Sequence, residues 1–195
     1  MHRHKARQEI GPTKLDPVLI ATLKKLHSYW SEKKEQRPFP ARKDLDPLDF
    51  HYALGDVSLI DVERDENTHN PIYRVRLLGS NIQERIGSSF INRNLDDFPE
   101  QDSLYKMRLA YKKVLDTKEP LAYPSFFKYG EKEQPFVCCI WPLSSDGEKV
   151  DMLLCCREQI FDKALVPNQD HLTREPEIWP YQQWGNTPLF SALTH

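Results

Sequence analysis

All four cysteines of the chain fall within FVCCIWPLSSDGEKVDMLLCC, from Phe136 to Cys156, as two adjacent pairs on either side of a turn signal. Thiols in such numbers could hold a zinc ion, exchange redox equivalents or fill a core. Asp146-Gly147 is a strong two-residue hairpin signal, and a hairpin centred there sets Ser145 opposite Glu148, Cys138 opposite Cys155 and Cys139 opposite Leu154. Adjacent residues of a strand point to opposite faces, so the four thiols cannot converge as a tetrahedral zinc site requires. No C-x-x-C spacing is present either. One face of the hairpin carries Val137, Cys139, Trp141, Leu143, Val150, Met152, Leu154 and Cys156, nearly all apolar. Core is therefore the favoured reading, since an unpaired Cys behaves as a small hydrophobe. A cross-strand thiol pair with a redox role is the alternative.

The opposite hairpin face, with Phe136, Cys138, Ile140, Leu153 and Cys155, is also apolar, so something covers it as well. The best candidate is a helix opening at Asp16-Pro17, where Asp is a good N-cap and Pro suits the first helical position, and a second subunit is expected to share the task in a homodimer formed through this helix and the sheet. Leu19, Leu23, Leu26 and Trp30 then form one stripe. Asp46-Pro47 repeats the device and predicts a short helix to Leu54, with Gly55 as its C-cap. VSLIDVERD and IYRVRLLG read as strands joined by the turn-rich DENTHNP. Short helical turns follow around Gly87, then a helix from Ser103 to about Asp116. LAYPSFFKYG, PFVCCIWPL and KVDMLLCC supply three more strands.

Two strands, a helical crossover and three strands predict an α+β fold. Its five-stranded antiparallel sheet has helices on one face, and the N-terminal helix covers the other. The expected organisation is a disordered segment over 1–14, one domain over 15–161 and an extended tail over 162–195. Within the tail, EPEIWPYQQWGNTPLF is either a docking segment or a wrap onto its own domain.

A formal charge of −2 lacks the basic footprint of a duplex-binding protein, so no nucleic-acid partner is expected. No apolar run of about 18 residues and no signal-peptide pattern occurs, which predicts a cytoplasmic protein with no membrane span. Phosphate-binding loops, H-E-x-x-H and G-x-S-x-G are absent from the sequence. No catalytic residue, metal ligand or cofactor is assigned.

The chain resembles the PAS-like domain family of bacterial single-domain proteins, the PAS_5 group. The matching pieces are Tyr29-Trp30, PAR-x-x-x-DP from Pro40 to Pro47, L-x-x-x-x-L-I-D-V ending at Val62, and YRVRLLGSNI from Tyr73 to Ile82. Ile86-Gly87, TKEP from Thr117 to Pro120, and WPLSSDGEKVDMLL from Trp141 to Leu154 complete the set. The resemblance implies a non-enzymatic sensory or regulatory module that binds small molecules or proteins and forms homodimers through flanking helices. Flavin-binding light sensors of the wider family place a reactive Cys in the helical stretch after the second strand, and GSNIQERIGSSFINRNL has none. Haem-binding members take a His from the long helix, and SLYKMRLAYKKVLDTKEP has none.

Alternation along the strands places Tyr73, Val75, Tyr111, Phe127, Cys139 and Trp141 around a cavity between sheet and helices, suited to a small apolar or aromatic molecule. These side chains filling the space themselves is the competing reading, which leaves a structural adaptor. Arg76 aligns with the family's Arg before L-x-G. It is expected either to pair with an Asp of DLDP or LDDF or to meet an anionic ligand. Arg42 is expected to pin the PAR-x-x-x-DP segment.

Overall fold

The computed structural model describes residues 17–98, 101–129, 132–159 and 179–180. The expected N-terminal segment over 1–14 and most of the C-terminal tail lie outside the described residues. Helix α1 (Pro17–Lys34) leads into a single 3-10 turn at Arg42–Asp44 and a run of 3-10 turns over Pro47–Asp56. Strands β1 (Val57–Arg64) and β2 (Pro71–Leu78) follow, then α2 (Ser80–Ile86), further 3-10 turns and α3 (Gln101–Thr117). Strands β3 (Leu121–Tyr129), β4 (Lys132–Leu143) and β5 (Met152–Gln159) complete the main sheet, and Trp179–Pro180 forms a two-residue β6.

The sheet order is β2-β1-β5-β4-β3-β6, and every neighbouring pair is antiparallel. The five long strands are those read from the sequence. Strand β6 adds part of the tail to the sheet, pairing Trp179 with Ala122 and Pro180 with Leu121 on the edge of β3. No described helix is long and apolar enough to cross a membrane.

Local chemistry explains the short elements. Asp46 accepts a hydrogen bond from the Leu48 amide at 2.9 Å and Pro47 holds the first position, so the run starts where its cap predicts. It is 3-10 rather than α, because Phe50 leaves helical geometry (φ −125°, ψ 33°) to bury its ring. Gly55 does not serve as a left-handed cap. It lies where the backbone of Gly79 passes, and a Cβ on Gly79 would sit 2.2 Å from the Leu54 carbonyl oxygen and 2.4 Å from that of Gly55. Two chain segments cross there with room only for hydrogen. Arg42 donates to the Leu45 carbonyl at 2.9 Å, and Asp44 accepts from the Ala41 amide at 2.8 Å, which pins the PAR-x-x-x-DP segment.

The hairpin between β4 and β5 corrects the expected register. Cys139 pairs with Cys156, Cys138 with Arg157, Ile140 with Cys155 and Trp141 with Leu154, a shift of two residues. The cause is the loop over 144–151. Asp146 accepts from the amides of Glu148 and Lys149 at 2.8 and 2.9 Å and from the Ser144 hydroxyl at 2.9 Å. Asp151 accepts from the Ser145 amide and hydroxyl. A self-bonded Asx turn replaces the tight two-residue turn, so the strands part at Leu143 and Met152. An even shift leaves each side chain on the face that alternation gave it.

Candidate functional site

Which helix covers which face is the reverse of the sequence expectation. Helix α1 lies on the face of Cys139 and Trp141. Trp30 donates its indole N–H to the Pro142 carbonyl at 2.9 Å, and Trp141 donates to Nδ1 of His27 at 3.0 Å. His27 must be neutral to accept, and its pKa is pushed down to about 4, chiefly by burial and then by the nearby Lys34 charge. Leu23, Leu26, Leu154 and Cys156 close this layer.

Helix α3 covers the other face and meets a row of polar side chains running across four strands. On β5, the Cys155 thiol donates to the Tyr111 hydroxyl at 3.7 Å, and Arg157 donates from Nη2 to Met107 Sδ at 3.7 Å. On β4, Cys138 stands opposite Arg157. On β3, Tyr123 stands opposite Cys138, with Ser125 two residues along the same face. On β1, Ser58 is opposite Cys155. All are buried, Arg157 to 7% exposure and Ser58 to 0%.

Arginine cannot shed its proton in a protein, so a positive charge sits permanently between α3 and the sheet. Burial pushes up the pKa of Tyr111 and Tyr123. It pushes Cys155 to about 12, although the Tyr111 hydroxyl and the Arg157 charge act in the opposite direction. Cys138 is raised too: burial outweighs the Arg157 charge and hydrogen bonds from Tyr123, Ser125 and Arg157. The row is therefore one guanidinium among neutral hydroxyls and thiols. The Ser58 hydroxyl lies beside the Cys155 thiol, whose pKa it helps to lower, and the buried Tyr73 hydroxyl makes no hydrogen bond among the described residues. Buried polar atoms are seldom left so.

The residues singled out from the sequence separate accordingly. Tyr73 and Tyr111 meet on the α3 face, ring centroids 5.2 Å apart and edge to face. Cys139 and Trp141 belong to the α1 layer, which corrects their expected placement beside Tyr73. Arg76 points outward, its side chain 56% exposed, and pairs with Asp61 at 3.0 Å rather than with an Asp of DLDP or LDDF. Phe127 follows Ser125 by two positions on β3, and its side chain lies outside the described residues.

Arg157, Tyr123 and Ser58 escaped the sequence reading. Ending the last strand at Cys156 left Arg157 without a face. Carrying the alternation one residue further puts it beside Cys155 and Leu153, where a charged group in an apolar strand draws notice.

All four cysteines are free thiols and buried. Cys139 and Cys156 are also pushed up, first by burial and then by a neighbouring acid, Cys156 for Cys139 and Glu158 for Cys156. Among the described residues no group of three or more His, Cys, Asp or Glu side chains is arranged to hold a metal ion.

A family model described as PAS domain matches residues 18–125, so the match ends within β3 and leaves out β4 and β5. No curated protein matches the chain. Among solved structures, a light-oxygen-voltage domain studied with a flavin analogue is similar at 15% identity and a TM-score of 0.42. That likeness covers 59% of this chain and 84% of the other. A light-oxygen-voltage protein of Rhodobacter sphaeroides is similar at 12% identity and a TM-score of 0.42, covering 61% of this chain and 70% of the other.

Proposed function

Because the chain belongs to the PAS domain family, whose members are generally sensory and regulatory, we propose that it is a regulatory module without catalysis of its own. It holds a small molecule between α3 and the sheet and passes its state to a protein partner. One observation carries this reading: a permanently charged Arg157 buried under α3 within a row of hydroxyls and thiols. A core that only had to pack would gain more from an apolar side chain there, since burying a guanidinium costs several kcal/mol (roughly) before its contacts repay it. Tyr111, Tyr123 and Arg157 are the proposed contacts, with Tyr73 at the side; Cys139 and Trp141 support the sheet from behind.

The redox alternative draws little support from thiols that burial holds protonated, because the thiolate is the reactive form. Native mass spectrometry of protein purified from cells tests the leading reading. A co-purified small molecule released on denaturation is expected, and a bare polypeptide mass from several hosts favours a filled-core adaptor.

The partner surface is proposed to be the outer side of α1, in a cytoplasmic homodimer. The inner stripe of Leu23, Leu26 and Trp30 is already spent on the chain's own sheet, so only the outer side is available. Light scattering of the eluted protein checks it, a mass of twice 22.9 kDa being expected.

A further inference from the structure

We propose that α2 ends in a proton-operated latch: Arg85 holds the last turn of the helix to Asp56 while Glu158 is protonated, and ionised Glu158 draws it away. This adds the proton as an input to the module and does not depend on the small-molecule reading. The geometry begins at one end of the β1–β5 ladder. Val57 stands opposite Cys156, so Asp56, one residue before Val57, and Glu158, two residues beyond Cys156, flank that end. Arg85 closes the group from α2, paired with Asp56 at 3.1 Å.

The two ends of α2 are held differently. At the first turn, Gly79 is pressed against the Leu54 and Gly55 carbonyls. Asn81 donates to Asp56 at 2.6 Å, and Gln83 donates to the Leu78 carbonyl at 2.6 Å. The last turn has the Arg85–Asp56 pair and then Gly87, which ends the helix at φ 87°. A Cβ placed on Gly87 would meet only the Ser89 hydroxyl, at 3.9 Å, so this left-handed glycine has room to act as a hinge. Beyond it, the Asn92 amide donates to the Val75 carbonyl and the Arg93 carbonyl accepts from the Val75 amide. The hinge therefore leads into the segment that covers the outer edge of β2.

Charge decides the state of the latch. Asp56 and Arg85 are the charged groups acting on Glu158, and the thiols of Cys139 and Cys156 beside it are held protonated by burial. With Glu158 neutral, one cation meets one anion. With Glu158 ionised, one cation serves two half-buried carboxylates that repel each other. Burial and then Asp56 raise the Glu158 pKa to about 7, so the change falls near neutrality.

The test follows exchange with water, by magnetisation transfer in proton–nitrogen correlation spectra of the full chain, at two amides. Gly87 donates to Gln83 and closes the last turn, and Gln83 donates to Gly79 and closes the first. After correction for the ordinary rise of exchange with pH, protection at Gly87 should fall roughly 3- to 10-fold between about pH 6 and pH 8. That is the range open to a Glu158 that regains its ordinary pKa on release. Gln83 should hold its protection throughout.

Glu158→Gln mimics the protonated acid and keeps every histidine, so its Gly87 protection should stay high and flat. Arg85→Gln should bring Gly87 at about pH 6 to the level the parent reaches at about pH 8; should that variant fail to fold, Glu158→Gln decides alone. The latch is overturned by a parent whose Gly87 protection ignores pH, or by the same fall persisting in Glu158→Gln. It is overturned equally by Gln83 opening in step with Gly87, or by an Arg85→Gln protein as protected as the parent.

Discussion

Glu158 offers the sharpest test of the electrostatics, since it stands one residue beyond Arg157 on the opposite face of β5. Its pKa is raised from an ordinary 4.5 to about 7, first by burial, then by the Asp56 carboxylate, with Arg85 pulling it back. Asp56 is already engaged, accepting from Asn81 at 2.6 Å and from Arg85 at 3.1 Å, so Arg85 serves two acids.

A carboxyl whose folded pKa exceeds its unfolded one binds its proton more tightly when folded. Its contribution therefore increases as pH falls from about 7 to 4.5 and is absent above that window. The raised pKa corresponds to about 3 kcal/mol at full linkage. Glu158 is only partly buried, and solvent screening reduces this to roughly 1.5–2 kcal/mol. Glu158→Gln mimics the protonated acid at every pH. It should be more stable than the parent by roughly 1.5–2 kcal/mol at about pH 8, or roughly 3–8 °C in unfolding temperature. The gap should shrink below about 0.5 kcal/mol at about pH 5.

The comparison must be made between the two proteins, because His27 titrates with the opposite sign. Its folded pKa of about 4 lies below the unfolded 6.5, so stability is lost as pH falls through that interval. An offset between parent and variant that stays constant from about pH 5 to 8 refutes the reasoning. So does a variant less stable at high pH, which would make Arg85 a true partner of a Glu158 carboxylate.

Other outcomes follow from the same contacts. His27→Gln should flatten the acid limb of the parent's stability curve by up to about 3 kcal/mol, measured by denaturant unfolding between about pH 4 and 7. Trp141→Phe keeps an aromatic ring but removes the donor to His27 and part of the buried ring volume, at a cost of at least about 1–3 kcal/mol in urea unfolding. Gly79→Ala forces a methyl against two backbone carbonyls and should cost at least about 2 kcal/mol or prevent folding, read as soluble yield and urea midpoint. Ellman titration of the native protein should detect none of the four buried thiols until denaturant is added; one rapidly reacting pair would revive the redox alternative.

Much of the architecture was legible in the sequence because each element carries its own local signal. Asp46-Pro47 starts its turn where expected, and alternation in YRVRLLG and MLLCC separates the two faces correctly. Alternation cannot say which helix lies on which face when both faces are apolar. Cys139 and Trp141 thus received the wrong neighbours, although their mutual arrangement is right. The register slipped because Asp-Gly was read by its backbone preference. The Asp146 side chain, bonding to its own loop, outweighs that preference. Arg157 was hidden by a strand ended at Cys156, three residues early, and Ser58 by the ordinariness of a serine whose meaning lies in being buried. Such properties belong to packing rather than to residue type.

The alternation of β5 has one more consequence. Cys156 and Arg157 share a peptide bond, yet one is packed beneath α1 and the other beneath α3. A strand gripped on both sides behaves as a lever with its load and its pointer one residue apart. A displacement of Arg157 is expected to reach the Leu154–Trp141 pair behind it through this strand. The Trp141 indole, bonded to His27, is a built-in gauge, and its emission should register occupancy of the far layer without any label.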